Sequence, residues 1–71
     1  MGQLKEQFGK RLQFLRKKAN MTQEELANST GFTYETISNF ERGIHGVKFS
    51  ALETLANALD VPVKELFEFG E

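Results

Sequence analysis

A chain of 71 residues has room for one small domain and none for an effector domain beside it, and 39% apolar with 27% charged residues is a composition that folds. With no cysteine and a single histidine, His45, it excludes disulfides, thiolate chemistry, a histidine metal cage and the usual catalytic triads. The net charge of −1 conceals a division: residues 1–23 carry six Lys or Arg against one acid, and residues 24–71 carry three against nine. A basic end can offer a local field to a polyanion, although a solvated helix face has the same composition. No apolar run approaches the roughly 20 residues of a membrane span, and no signal-peptide pattern opens the chain. These features describe a cytoplasmic binding module with no cofactor, metal or small-molecule site evident.

Five short helices are expected along residues 1–71, and the fold class is all-α. Leu4, Phe8, Leu12, Leu15 and Ala19 recur at helical spacing and form one apolar stripe. Lys10, Lys17 and, unexpectedly, Phe14 fall on the far side, and Arg16 sits at the edge of the stripe. Asn20 ends this helix, and Met21 is expected to plug the core after it. Thr22-Gln23-Glu24-Glu25 has the spacing of a capping box and starts a second helix. Gly31 suits the positive φ past a helix end, and Phe32 is expected in the core. Thr33 suits the N-cap of a third helix running to about Arg42, with Gly43 closing it. Ser50-Ala51-Leu52-Glu53 has capping-box spacing again, for a fourth helix whose inner face is Leu52, Leu55, Ala56 and Leu59. Pro62 suits the first turn of a fifth, with Val63, Leu66 and Phe67 available for packing.

The short link between the second and third helices carries most of the functional information. A tight Gly-containing turn between two short helices is the helix-turn-helix unit, whose second helix enters the DNA major groove. Tight helical corners also occur in proteins that never touch DNA, so the faces of the third helix matter. Thr33, Ile37, Phe40 and Glu41 cluster on one side of its wheel, while Glu35, Ser38, Asn39 and Arg42 face the other way. The outward set suits base edges and phosphates: Asn39 for adenine, Glu35 for cytosine N4, Arg42 for phosphate or guanine. Tyr34 could reach a thymine methyl or a phosphate. Glu41 is the telling residue, because a carboxylate on the inner side needs a partner. Arg16 is the expected one, and the pair would pin the third helix to the first.

On these residues the run Thr22–Gly43 resembles the helix-turn-helix of the Cro and C-type repressor family, the XRE family. The matching features are Gln23, the Leu26-Ala27 pair, Gly31, Ile37 and the closing Glu41-Arg42-Gly43. The flanking helical segments resemble the family's first, fourth and fifth helices. The resemblance implies a compact five-helix lambda-repressor-like domain that docks on a palindromic operator as a two-fold dimer. It implies base reading by Thr33, Tyr34, Glu35 and Asn39, with Ser38 beside them. It implies phosphate contacts by Gln23 and Arg42, and an Arg–Glu pair matched by Arg16 and Glu41. Arg16 and Lys48 complete the expected phosphate set. The loop after the third helix departs from the family in offering only Lys48 as a permanent cation, and Pro62 stands where a capping serine is common.

Phe49, Val63, Phe67 and Phe69 are the expected dimer-interface residues, with Phe14 as an outlier and Phe69 favoured for lying near the chain end. The resemblance fits small phage repressors and restriction-modification controller proteins alike, acting by occupancy of an operator. A second reading, on the same fold, is a protein-interaction module with an antitoxin-like or coactivator-like partner. An enzyme is not expected, since one histidine and scattered helix carboxylates assemble no acid–base set.

Overall fold

The computed structural model describes residues 3–70. Four α-helices follow one another, α1 (Gln3–Lys18), α2 (Gln23–Thr30), α3 (Tyr34–Glu41) and α4 (Phe49–Leu59), and a short 3-10 helix (Val63–Phe67) comes last. No strand occurs among the described residues. The all-α expectation stands, but the expected fifth α-helix is a five-residue 3-10 helix. Pro62 occupies its cap position and supplies no side-chain cap, and the closing bonds run three residues back, Glu65 N–H to the Pro62 carbonyl at 2.9 Å. A segment this short, without a cap, gains little from the wider α turn.

One cluster of buried side chains holds the elements together. Phe8, Leu12 and Leu15 from α1 meet Leu26 and Ala27 from α2, Ile37 and Phe40 from α3, and Leu52, Leu55, Ala56 and Leu59 from α4, with Leu66 closing one end. α3 packs on α1 and α2, and the 3-10 helix packs on α1 and α4. The helix ends follow their local chemistry. Asn20 turns left-handed at φ 60, and Met21 N–H bonds back to the Arg16 carbonyl at 3.1 Å, closing α1. Thr22 and Glu25 form the expected capping box.

Two local expectations are corrected, on the ends of the apolar stripe of α1 and on the start of α4, while Phe14 lies on the outside as expected. Leu4 is 59% exposed, at the rim of a groove that it shares with Phe8, Phe49 and Phe67, and Ala19 lies exposed just beyond the helix end. The Ser50–Glu53 box does not form: the ladder of α4 already begins with Leu52 N–H on the Lys48 carbonyl, 2.9 Å, which places Ser50 inside the helix. Phe14 is 53% exposed, and the Arg11 guanidinium stands 5.1 Å from its ring centroid. A cation over the ring gives this outward phenylalanine a partner. Arg11 also donates to the Glu65 carbonyl and carboxylate at 2.8 and 2.9 Å, tying α1 to the 3-10 helix.

One contact went unnoticed in the sequence. Gly9 lies under the last turn of α3, where an added Cβ would stand 2.5 Å from the Glu41 carbonyl oxygen and 2.6 Å from that of Phe40. Only glycine lets α1 and α3 approach this closely. That approach sets where the outward face of α3 stands on the domain.

Candidate nucleic-acid interface

Residues 31–33 alone separate α2 from α3. Gly31 takes φ 82 and returns its N–H to the Ala27 carbonyl at 2.9 Å, and the Thr30 hydroxyl donates to the Leu26 and Ala27 carbonyls. Phe32, half-buried, then meets Phe40 edge-on with ring centroids 5.9 Å apart. Thr33 caps α3 by accepting the Thr36 N–H at 3.1 Å, and its hydroxyl donates to that of Thr36 at 3.0 Å. Each residue of the turn is thereby assigned to stopping one helix, anchoring the corner or starting the next.

Ile37, Phe40 and Glu41 are buried, as the inner face of α3 requires. Tyr34, Glu35 and Arg42 are exposed, and Ser38 and Asn39 are half-buried beside them. Thr33, placed by the wheel on the inner side, is exposed instead, because its extended backbone at φ −91 lies outside the helix. Its hydroxyl is engaged within the cap, so the outward hydrogen-bonding surface of α3 is carried chiefly by Tyr34, Glu35, Ser38 and Asn39. Eight residues rise about 12 Å, close to the width of the major groove.

Behind this face lies the ion pair. Arg16 Nε donates to Glu41 Oε2 at 2.6 Å and Nη2 to Oε1 at 3.1 Å, with both side chains buried. Arg16 Nη1 donates to the Met21 carbonyl at 2.7 Å. Gln23, first residue of α2, donates from Nε2 to Glu41 Oε1 at 2.9 Å, a contact the spacing of the sequence did not reveal. No buried side-chain nitrogen or oxygen among the described residues lacks a partner. The pair is therefore fully bonded, the condition under which burying two charges is tolerable. The Arg16 guanidinium is directed inward by these bonds, away from the phosphate role expected of it. Arg42, at the C-cap of α3, and Lys48, at the cap of α4, remain exposed. Lys48 borders an open groove of about 290 Å³ that also touches Phe32 and Phe40, so it lies near the turn.

The expected dimer residues divide. Phe49 is 86% exposed, and Val63 and Phe67 are exposed at its side. Phe69 is half-buried instead, with its ring centroid 6.1 Å from that of Phe67, because the last residues fold back on the core. The sequence pattern missed Leu4, which with Phe8, Phe49, Leu52 and Phe67 lines a second groove of about 290 Å³.

No helix among the described residues is long and apolar enough to cross a membrane, and none of them form a group of three or more His, Asp or Glu residues that could hold a metal.

Comparison with known proteins places these features in a family. The family model described as helix-turn-helix, HTH_3, matches residues 12–66. The chain is similar to the control protein C.BamHI of Bacillus amyloliquefaciens, 36% identical over 63 residues that cover 87% of this chain and 78% of that protein. It is similar to the competence pilus inhibition repressor of Acinetobacter baylyi, 36% identical over 90% of this chain and 58% of the relative. The crystal structure of the restriction-modification controller protein C.AhdI from Aeromonas hydrophila superposes with a TM-score of 0.85 at 37% identity, over 87% of this chain and 94% of that one. The chain spans about half the length of several curated relatives, from 43% to 58%. The chain belongs to the HTH_3 helix-turn-helix family of DNA-binding transcription regulators.

Proposed function

We propose that the chain is a sequence-specific regulator of transcription that binds a palindromic operator as a homodimer, with α3 in the major groove. The carrying observation is α3 itself. Its inner side is locked by Ile37, Phe40 and the Arg16–Glu41 pair, which leaves Tyr34, Glu35, Ser38 and Asn39 on a rigid outward surface. Base edges are read by Tyr34, Glu35, Ser38 and Asn39, with Thr33 beside them at the cap. Phosphates are held by Gln23 at the positive end of α2, by Arg42 and by Lys48. Arg16 acts as the clamp behind them.

The second copy covers Leu4, Phe49, Val63 and Phe67. An apolar side chain as exposed as Phe49, beside an apolar groove, favours a self-complementary contact. Regulation follows from occupancy, in the cytoplasm, by blocking polymerase or recruiting it. The names of the relatives, a control protein and a repressor, agree with this reading.

Selection from random duplex DNA at about 0.15 M salt tests it. The expected result is a palindromic motif with half-sites about one helical turn, ~34 Å, apart. A folded protein that enriches no sequence would shift the reading to the protein-interaction module, with the same apolar face holding a partner.

A further inference from the structure

We infer that Glu41, besides pairing with Arg16, is a positioning residue for the DNA-backbone contact, because it holds the Gln23 amide in one orientation before DNA arrives. The inference rests on the reading above that Gln23 meets a phosphate. The hydrogen bonds form a closed path. They run from the Met21 carbonyl to Arg16, from Arg16 to Glu41, and from Glu41 to Gln23, at 2.7, 2.6 and 2.9 Å. Met21 and Gln23 flank Thr22, the cap of α2. The path therefore starts and ends on the two sides of one helix N-terminus.

The chemistry of the acceptor decides the orientation. A carboxylate only accepts, and Glu41 takes two N–H groups of Arg16 as well as that of Gln23. The Gln23 amide must then face Glu41 with its nitrogen. One N–H is committed inward, and the second is fixed by the plane of the amide. Gln23 is half-buried, so part of its side chain remains open to solvent. A free glutamine side chain loses rotamer freedom when it grips a ligand. Here that ordering is complete in the free protein, and the phosphate meets a donor already set beside the backbone N–H groups of α2. The same carboxylate thus couples the packing of α1 on α3 to the grip of α2 on the backbone.

The test is a double-mutant cycle on DNA binding, using Gln23→Ala, Glu41→Gln and both together, at a temperature where all are folded by circular dichroism. In Glu41→Gln the new amide can present its own N–H groups, which frees Gln23 to turn round. In the wild-type background Gln23→Ala is expected to lower affinity about tenfold on all sequences alike, with the slope of log K against log salt unchanged because the amide carries no charge. In the Glu41→Gln background the same change is expected to cost less than about twofold. A full tenfold cost in both backgrounds would show that Glu41 only stabilises the fold and would overturn the inference. If Gln23→Ala leaves wild-type affinity unchanged, the phosphate reading beneath it fails, and the inference with it. Should Glu41→Gln not fold, Glu41→Asp retains the charge for Arg16 and withdraws the carboxylate from Gln23. In the free wild-type protein, NMR should show one Gln23 side-chain amide proton protected from exchange and the other exchanging freely. Two protons that both exchange as fast as those of a solvent-exposed glutamine would overturn the inference without any variant.

Discussion

Asn39 stands one turn into α3 between Ile37 and Phe40, both fixed in the core, so a rigid backbone presents its half-buried amide. An amide held in this way can take the paired donor and acceptor of adenine, whereas a mobile one would lose the geometry. Asn39→Ala should therefore cost about 1–3 kcal/mol on the operator and relax preference at one base position. Titration against operator variants checks this, and equal loss on operator and random DNA would remove the base-reading role. Arg42, exposed at the end of the same helix, has the opposite expectation. Its replacement by alanine should weaken all sequences alike and flatten the salt dependence by about 0.9 in the log–log slope. An unchanged slope would take Arg42 out of the phosphate set. Both residues were legible in the sequence because wheel position follows from spacing alone. The contact of Gln23 with Glu41 was not, since the residues are 18 positions apart and only the crossing of α2 and α3 brings them together.

Between elements, the close approach of α1 and α3 is the feature most open to test. A methyl group at Gly9 would overlap the carbonyl oxygens of Phe40 and Glu41, so Gly9→Ala must push the helices apart. Overpacking of this kind costs about 1–3 kcal/mol. The gain of about 1 kcal/mol from alanine in a helix offsets part of it. Thermal unfolding should show a lowered midpoint, and operator affinity should fall as well, because the shift disturbs the Arg16–Glu41 geometry. An unchanged midpoint would mean that the two helices separate without cost. Capping shows how far local pattern reaches. Thr22–Glu25 and Ser50–Glu53 have the same spacing, yet only the first forms a box. Before Thr22 the left-handed Asn20 breaks the chain, and the Arg16 bond to Met21 holds the break in place. Before Ser50 the loop is already extended at Lys48, so the helix starts there.

At the scale of the whole molecule, the described part of the chain is 31 Å in its longest dimension, with one α3. The proposed palindromic operator, with half-sites about 34 Å apart, would therefore call for two copies. In the proposed dimer, the exposed apolar side chains beside the start of α4 would offer the contact between them. Phe49→Glu should turn a dimer into a monomer in sedimentation equilibrium while the helical circular dichroism stays unchanged, since an 86% exposed side chain contributes little to its own core. Operator binding should then weaken and lose its dependence on half-site spacing. A variant that remains dimeric would place the interface elsewhere on the surface.

The sequence by itself determined the helical class, the α2–α3 corner, the inner and outer faces of α3 and the Arg16–Glu41 pair. All of these follow from a period of 3.6 residues, from capping chemistry and from the cost of an unpaired buried charge. Only the tertiary structure decided which apolar residues are left outside. Leu4 and Phe69 have equally apolar side chains, yet one stays exposed at the rim of a groove and the other folds back against Phe67. It also decided that Arg16 faces inward, that Gly9 is a crossing point and that Gln23 is held by Glu41. These depend on how whole helices cross, a property that spacing along one helix does not contain.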